Sequence, residues 1–256
     1  MTEDSAAPKT RLGIRDILAL LIACGALAVL VGLGTWQLNR LAWKEALIAR
    51  VTERVKTPPE TLPGRNAWQA LKPEDYQYRR VTLSGRFLHD REVHVYAVLS
   101  SPKGGVWRGQ GYWVMTPLKQ DDGSLIIINR GFVPDPLKAA DTRGDGQVPG
   151  IVSVTGLMRV SEEPNFASPE DNVPDNLWYT RNVAKMAKAM WLEREKTAPF
   201  FIDAESSSVS GRSPQGGETR LVFPNRHLGY AMTWYGLAAA LLCVVVAFAF
   251  TRLRKG

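Results

Sequence analysis

Residues 17–38 read ILALLIACGALAVLVGLGTWQL and residues 228–250 read LGYAMTWYGLAAALLCVVVAFAF, and neither stretch holds a charged side chain. At about 1.5 Å rise per residue each spans about 33 Å as a helix, enough to cross a hydrocarbon layer about 30 Å thick. The rest of the chain takes its place from these two runs. Residues 1–16 and 251–256 are expected to be tails on one side of a bilayer. Residues 17–38 and 227–250 are expected to span it, and residues 39–226 to form one domain on the far side. This layout excludes most soluble-enzyme readings.

The formal net charge is +7. Much of the basic excess flanks the spans (Lys9, Arg11, Arg15, Arg252, Arg254, Lys255), so it is read as topology and not as nucleic-acid binding. The C-terminal tail is basic with no acid, which favours the cytoplasm. Arg40, Lys44 and Arg50 follow the first span, but long domains translocate largely regardless of charge. Glu3 and Asp4 argue against a mitochondrial transit peptide, which avoids acids. The expectation is a two-pass protein of a bacterial inner (plasma) membrane, with both termini cytoplasmic and the main domain periplasmic. Leu21-Ile22-Ala23-Cys24 resembles a lipoprotein cleavage box, yet the apolar run continues beyond Cys24 to Leu33, so an uncleaved helix is the better reading.

Cys24 and Cys243 are the two cysteines, and both lie inside spans. The domain therefore has no disulfide and no thiol pair for Cu(I). Small residues recur near helical spacing in both spans: Gly25, Ala28 and Gly32 in one, Gly236, Ala240 and Ala247 in the other. They are expected to let the helices pack closely, with the cysteines as further small contact residues.

Past Leu38, Leu41, Ala42, Leu47, Ile48 and Val51 keep a 3.6-residue period, which predicts a helical stalk ending at Pro58-Pro59. The domain then turns β-rich. Val81, Leu83 and Phe87 alternate in the Arg80–Phe87 segment, as do Val93, Val95 and Ala97 in residues 92–98. Residues 111–116 and 125–129 flank the turn Asp121-Asp122-Gly123. Residues 151–160 and 200–203 are further strands. Residues 134–150 read as a loop, and residues 205–219 as a mobile one. Val183, Met186, Ala187, Met190 and Trp191 predict an amphipathic helix, with Asn182 near its cap. The fold class is thus a membrane-anchored α+β protein, its sheet mainly antiparallel and able to close as a barrel, with one or two helices.

No G-x-S-x-G, H-E-x-x-H or phosphate loop is present, and Asp75, Asp90, Glu92 and Asp203 are scattered without a pairing that sequence establishes. The expectation is a protein that is not an enzyme. His89 and His94, five apart, read as solvent-facing strand residues that share no metal. His227 stands at the outer boundary of the second span, aligned with Tyr230, Ala231 and Trp234 at i+3, i+4 and i+7. An imidazole above an aromatic face suits an axial haem ligand; an ordinary interfacial histidine within an aromatic belt is the alternative. Trp36, Gln37, Arg40, Trp43 and Lys44 crowd the end of the first span. Arg40, Lys44 and Arg226 suit propionates, or equally serve as snorkelling anchors.

Gly34-Thr35-Trp36-Gln37 followed by Arg40-Leu41 and Trp43-Lys44, then Asn129-Arg130-Gly131-Phe132-Val133-Pro134, then His227-Leu228-Gly229-Tyr230-Ala231-Met232-Thr233-Trp234-Tyr235 resemble, in that order, the Surf1 family of cytochrome c oxidase assembly proteins. Arg226 stands where Asn is common, and Phe132 where Trp is usual. The resemblance implies an accessory factor that places haem a into subunit I of haem–copper oxidases, with His227 as the metal ligand. Beside what the resemblance carries, Trp36, Gln37, Arg40, Arg226, Tyr230 and Trp234 are, by their own chemistry and placement, candidate contacts to haem a, which would be held as transient cargo. The resemblance implies subunit I, the haem a synthase and the lipid bilayer as partners. A scaffold that grips unfinished subunit I without holding haem is the alternative.

Overall fold

The computed structural model describes residues 13–206, 213–221 and 223–254. The tail residues Glu3, Asp4, Lys9, Arg11 and Lys255, and residues 207–212 of the expected mobile loop, lie outside these. The chain divides into two compact units, residues 1–50 with 222–256, and residues 51–221.

The first unit is a helix pair. Helix α1 runs Ile14–Lys56 and the last helix, α4, runs His227–Arg254; the short α2 (Pro73–Tyr76) belongs to the second unit. Both helices of the pair are long and apolar enough to cross a membrane. The stalk is therefore the continuation of α1, which stops one residue before Thr57-Pro58-Pro59, as proline requires. Helices α1 and α4 run antiparallel: Asp16 pairs with Arg252 at 2.8 Å at one end, and Gln37 meets His227 at the other.

The seam differs from the small-residue pattern. Gly25, Ala28, Gly32, Gly236, Ala240 and Ala247 are all exposed, as are Cys24 and Cys243, which are free thiols. The covered positions include Ala23, Leu27, Leu30, Gly34 and Gln37 on α1, and His227, Ala231, Trp234, Ala238, Leu241 and Val245 on α4, with Leu33 and Tyr235 beside them. Their spacings alternate four and three, the repeat that keeps one stripe facing a partner helix. Gly25 and Gly32 fall off that stripe. The close approach occurs at Gly34 instead, where an added Cβ would stand 2.9 Å from the Tyr235 ring.

The second unit is a sheet closed on itself. Its strands are β1 (Glu60–Thr61), β2 (Arg80–Phe87), β3 (Val93–Leu99), β4 (Gly109–Lys119), β5 (Leu125–Pro134), β6 (Val152–Val160) and β7 (Thr197–Ala204). Strands β2, β6, β7, β5 and β4 pair in that order, and β2 returns to β4 through Arg86↔Lys119 and Phe87↔Leu118, closing a five-strand barrel. Gly85 makes the closure possible, since a Cβ there would lie 2.4 Å from Leu118 Cδ2 and 2.5 Å from the Lys119 carbonyl. Pairing is mainly antiparallel. The exceptions are β1 with β2 and β5 with β7, which run parallel.

Alternation sorts the side chains into two cores. Val81, Leu83, Leu118, Ile126, Ile128, Val154, Met158, Phe200 and Ile202 fill one cluster, with Trp68 and Tyr76 against Phe200 at ring separations of 5.8 and 5.5 Å. Val93, Val95, Met115, Leu125, Ile127 and Phe201 pack on the opposite face against helix α3 (Val183–Ala189). Strand β5 is covered on both faces, which explains its unbroken apolar start Leu125-Ile126-Ile127-Ile128. The Asn182 side chain caps α3, accepting from the Lys185 amide at 2.9 Å. Trp191 departs from the expected apolar stripe. The helix has already ended, Trp191 adopts φ 55° and is 87% exposed, and Leu192 takes the buried place. Residues 134–150 are likewise no free loop. They form short turns over Asp135–Leu137 and Ala140–Gly146, with Arg143 buried. Ser213, Gln215 and Glu218 are buried too, so the described part of residues 205–219 packs on the barrel.

Candidate functional site

His227 is the first residue of α4, and its position there has a local cause. Asn225 Oδ1 accepts from the His227 amide at 3.4 Å, satisfying one of the donors a helix start leaves open. Nδ1–H of His227 donates to Gln37 Oε1 at 2.7 Å. A neutral imidazole that donates through Nδ1 keeps its lone pair on Nε2, which is how a metal-binding histidine is held in tautomer and orientation. Gln37 is buried and spends its carbonyl on this contact. It thus supports His227 from behind.

The other expected site residues fall around this contact in three ways. Trp234 lies on the seam, half-buried. Trp36 and Tyr230 project outward, 53% and 55% exposed. Arg226 and Arg40 are exposed, and the Arg40 guanidinium stacks 4.5 Å over the Trp43 ring. A polar tie unsuspected from sequence lies further along the seam. Thr35 Oγ1 donates to the Val31 carbonyl at 2.9 Å, so the Tyr235 hydroxyl donates to Thr35 at 3.0 Å. Leaving these hydroxyls unpaired in hydrocarbon would cost several kcal/mol, roughly. A glycine at 34 beside a hydroxyl at 35 was the available signal.

Among the described residues no group of three or more His, Cys, Asp or Glu side chains could hold a metal ion. A haem iron needs one protein nitrogen, and the donor set at His227 fits that requirement: one oriented imidazole, two exposed guanidiniums and two exposed aromatic rings. Haem is thus admissible here as a cargo held by a single ligand.

In the barrel unit, two ionic hubs bind distant strands together. His94 is 6% exposed, covered by Glu92, Arg143 and Asn176, contrary to the solvent-facing expectation, and His89, on the turn His89–Arg91, is half-buried. His94 Nε2 donates to Glu92 Oε1 at 3.0 Å, Arg143 pairs with the same oxygen, and Arg130 Nη1 donates to His89 Nδ1 at 3.3 Å. Burial pushes the Glu92 carboxyl up, but the hydrogen bonds from His94 and Arg143 outweigh it and hold the group below its usual range. Burial lowers His89 and brings Arg130 to about 10. The second hub is Asp203. It accepts from Asn129 at 2.8 Å, Thr219 at 3.0 Å and Arg181 at 3.4 Å, and it pairs with Arg159.

The SURF1 family model matches residues 24–239. The chain belongs to the SURF1 family. It is 37% identical to the Surfeit locus protein 1 of Rattus norvegicus over 228 residues, covering 83% of this chain and 70% of that protein. The human Surfeit locus protein 1 is 37% identical over 219 residues, covering 82% and 70%. A SURF1-like protein of Drosophila melanogaster is 33% identical over 225 residues, covering 83% and 71%. The family match takes in Gln37, His227, Tyr235 and every strand of the SURF1 barrel.

Proposed function

We propose that this SURF1-family chain is an assembly factor for haem–copper (cytochrome c) oxidase that binds haem a through His227 and assists its insertion into subunit I. Family membership supports the role in cytochrome oxidase assembly. The observation that carries the haem reading is the Gln37–His227 hydrogen bond, which orients one imidazole nitrogen for a metal at the end of an apolar helix pair. Haem a supplies the redox-active iron that the oxidase needs. The chain supplies Nε2 of His227, Arg40 and Arg226 for the propionates, and Trp36, Tyr230 and Trp234 as apolar contacts. One protein ligand suits a carrier that must release its cargo. Subunit I is the recipient and the haem a synthase the donor, in the plane of the bilayer.

The two apolar helices support a two-pass arrangement in a bacterial inner membrane. The antiparallel pairing, with Asp16 and Arg252 at one end, supports a common side for both tails, and the basic C-terminal residues favour the cytoplasm as that side, with the barrel periplasmic. Membership of the SURF1 family supports an accessory role.

The test is the haem content of detergent-purified protein from cells that make haem a. His227→Ala should lose most of the bound haem while leaving the barrel folded by circular dichroism. An unaltered haem spectrum in that variant overturns the ligand assignment. One feature favours a scaffold that grips subunit I without haem: Trp191 stands exposed beside an open groove of about 850 Å³ along α3. Colourless wild-type protein that still copurifies with subunit I would establish that reading instead.

A further inference from the structure

A second cavity, of about 240 Å³, opens on the barrel beside Asp203. Its walls are Val98 and Leu99 at the end of β3, Trp113 on β4, Arg159 on β6, and the segment from Gly217 to Arg220. Nothing in the helix-pair reading uses it. Ligand pockets for drug-sized molecules run from about 300 to 1,000 Å³, so this one suits a small acid or a single side chain, not a macrocycle.

The acceptors in the wall are already engaged. Asp203 has partners on both oxygens: Asn129 and Arg181 on Oδ1, Arg159 and Thr219 on Oδ2. Glu218 accepts from the Lys103 and Gly104 amides at 2.8 and 2.7 Å and from Gln215 Nε2 at 2.6 Å. Arg181 is held by Glu162 as well as by Asp203. Donors remain. Among the described residues, Asp203 is the one hydrogen-bond partner of the Arg159 side chain, through Nη1, and its buried Nε has none. The Arg159 guanidinium carbon stands 4.8 Å from the Tyr78 ring centre and 5.9 Å from that of Phe201, and these aromatic neighbours restrain it. Its Nε is closed off from solvent, so the donor left over for a ligand is Nη2, a charge-assisted partner for one carboxylate oxygen. Arg220 stands exposed at the mouth, tied to Ser100 Oγ at 3.4 Å and the Ser101 carbonyl at 2.9 Å.

We propose that this cavity is a carboxylate-binding site. Arg159 donates to the carboxylate through Nη2, Arg220 guards the entrance, and Val98, Leu99 and Trp113 receive a short apolar stem. The ligand is a small aliphatic acid or a glutamate side chain presented by a polypeptide. A phosphate dianion fits less well, because Asp203 and Glu218 already place two negative charges in the wall.

The probes are propionate, a terminally blocked peptide with one glutamate, and inorganic phosphate, each titrated into the detergent-purified full chain by ligand-observed NMR. Propionate, the peptide or both should bind saturably. Binding of the peptide alone assigns the site to a polypeptide, and of propionate alone to a small acid. Arg159→Lys keeps a charge opposite Asp203 but spends its single nitrogen there, leaving no second donor for the ligand, and should weaken binding about tenfold. Arg220→Gln leaves the Asp203 hub untouched and should weaken it a few-fold, so it carries the test should Arg159→Lys fail to fold. His227→Ala should leave binding unchanged, which separates this site from haem. No saturable binding of either carboxylate, preference for phosphate, or full binding by a folded Arg159→Lys or by Arg220→Gln overturns the assignment.

Discussion

The helix pair and the barrel are held together by different means. Along the pair's seam, among the described residues, Ala231 and Ala238 are the buried apolar side chains, and the contacts that specify it are polar: Gln37 with His227, Thr35 with Tyr235, Asp16 with Arg252. The barrel covers both faces of β5 and β7 and ties its strands with buried ion pairs. A bilayer gives apolar helices no hydrophobic reason to meet, so a few hydrogen bonds set their register. In water the apolar cores do that work, and stability is concentrated in the barrel.

The contrast can be broken at its strongest point first. Phe200 is fully buried in the barrel core between Trp68 and Tyr76. Phe200→Ala should destabilise the barrel by about 3–5 kcal/mol, read as a shift in chemical denaturation, while the haem spectrum proposed for His227 is retained in whatever protein stays folded. Loss of the spectrum from folded protein would show that the two units are not separable. Next, Gln37→Leu removes the acceptor for His227 Nδ1–H and adds apolar surface to the seam. It should lower haem affinity about tenfold or more without altering barrel denaturation; unchanged affinity would mean that Gln37 does not position the imidazole. The smallest effect concerns pH. Burial depresses His89, so between its ordinary value near 6.5 and its lower folded value the unfolded chain binds more protons, and stability falls as pH drops through that window. Glu92, also held low, adds a loss below about 4.5. His89→Gln should flatten the upper part of the acid limb, and an unaltered limb would deny that role.

Local periodicity carried much of this structure in the sequence. The alternation of Val81, Leu83 and Phe87 gives β2, Gly123 at φ 78° gives the β4–β5 turn, and Asn182 caps α3 where spacing places it. Periodicity cannot say which strands meet. Nothing in Leu125-Ile126-Ile127-Ile128 reveals a parallel partner in β7, nor does Asp203 announce Arg159, 44 residues before it. The helix seam shows a different failure. Glycine and alanine abundance drew attention to Gly25 and Gly32, whereas the four-and-three repeat that includes Gly34, Gln37 and His227 marks the face in contact. Of the candidate site, His227 and its neighbours were visible in the motif order. The role of Gln37 as support emerged only when the two ends of the chain were brought together.

The parallel pairing of β5 with β7 has a consequence for synthesis. β5 ends at Pro134 and β7 begins at Thr197, so the ring lacks its last stave until the ribosome has made nearly all of the domain. Until then β5 and β6 each offer an unpaired border, a template for the wrong neighbour. A nascent chain halted before residue 197 should therefore depend on chaperones or be degraded, and premature stops in that interval should leave no stable fragment.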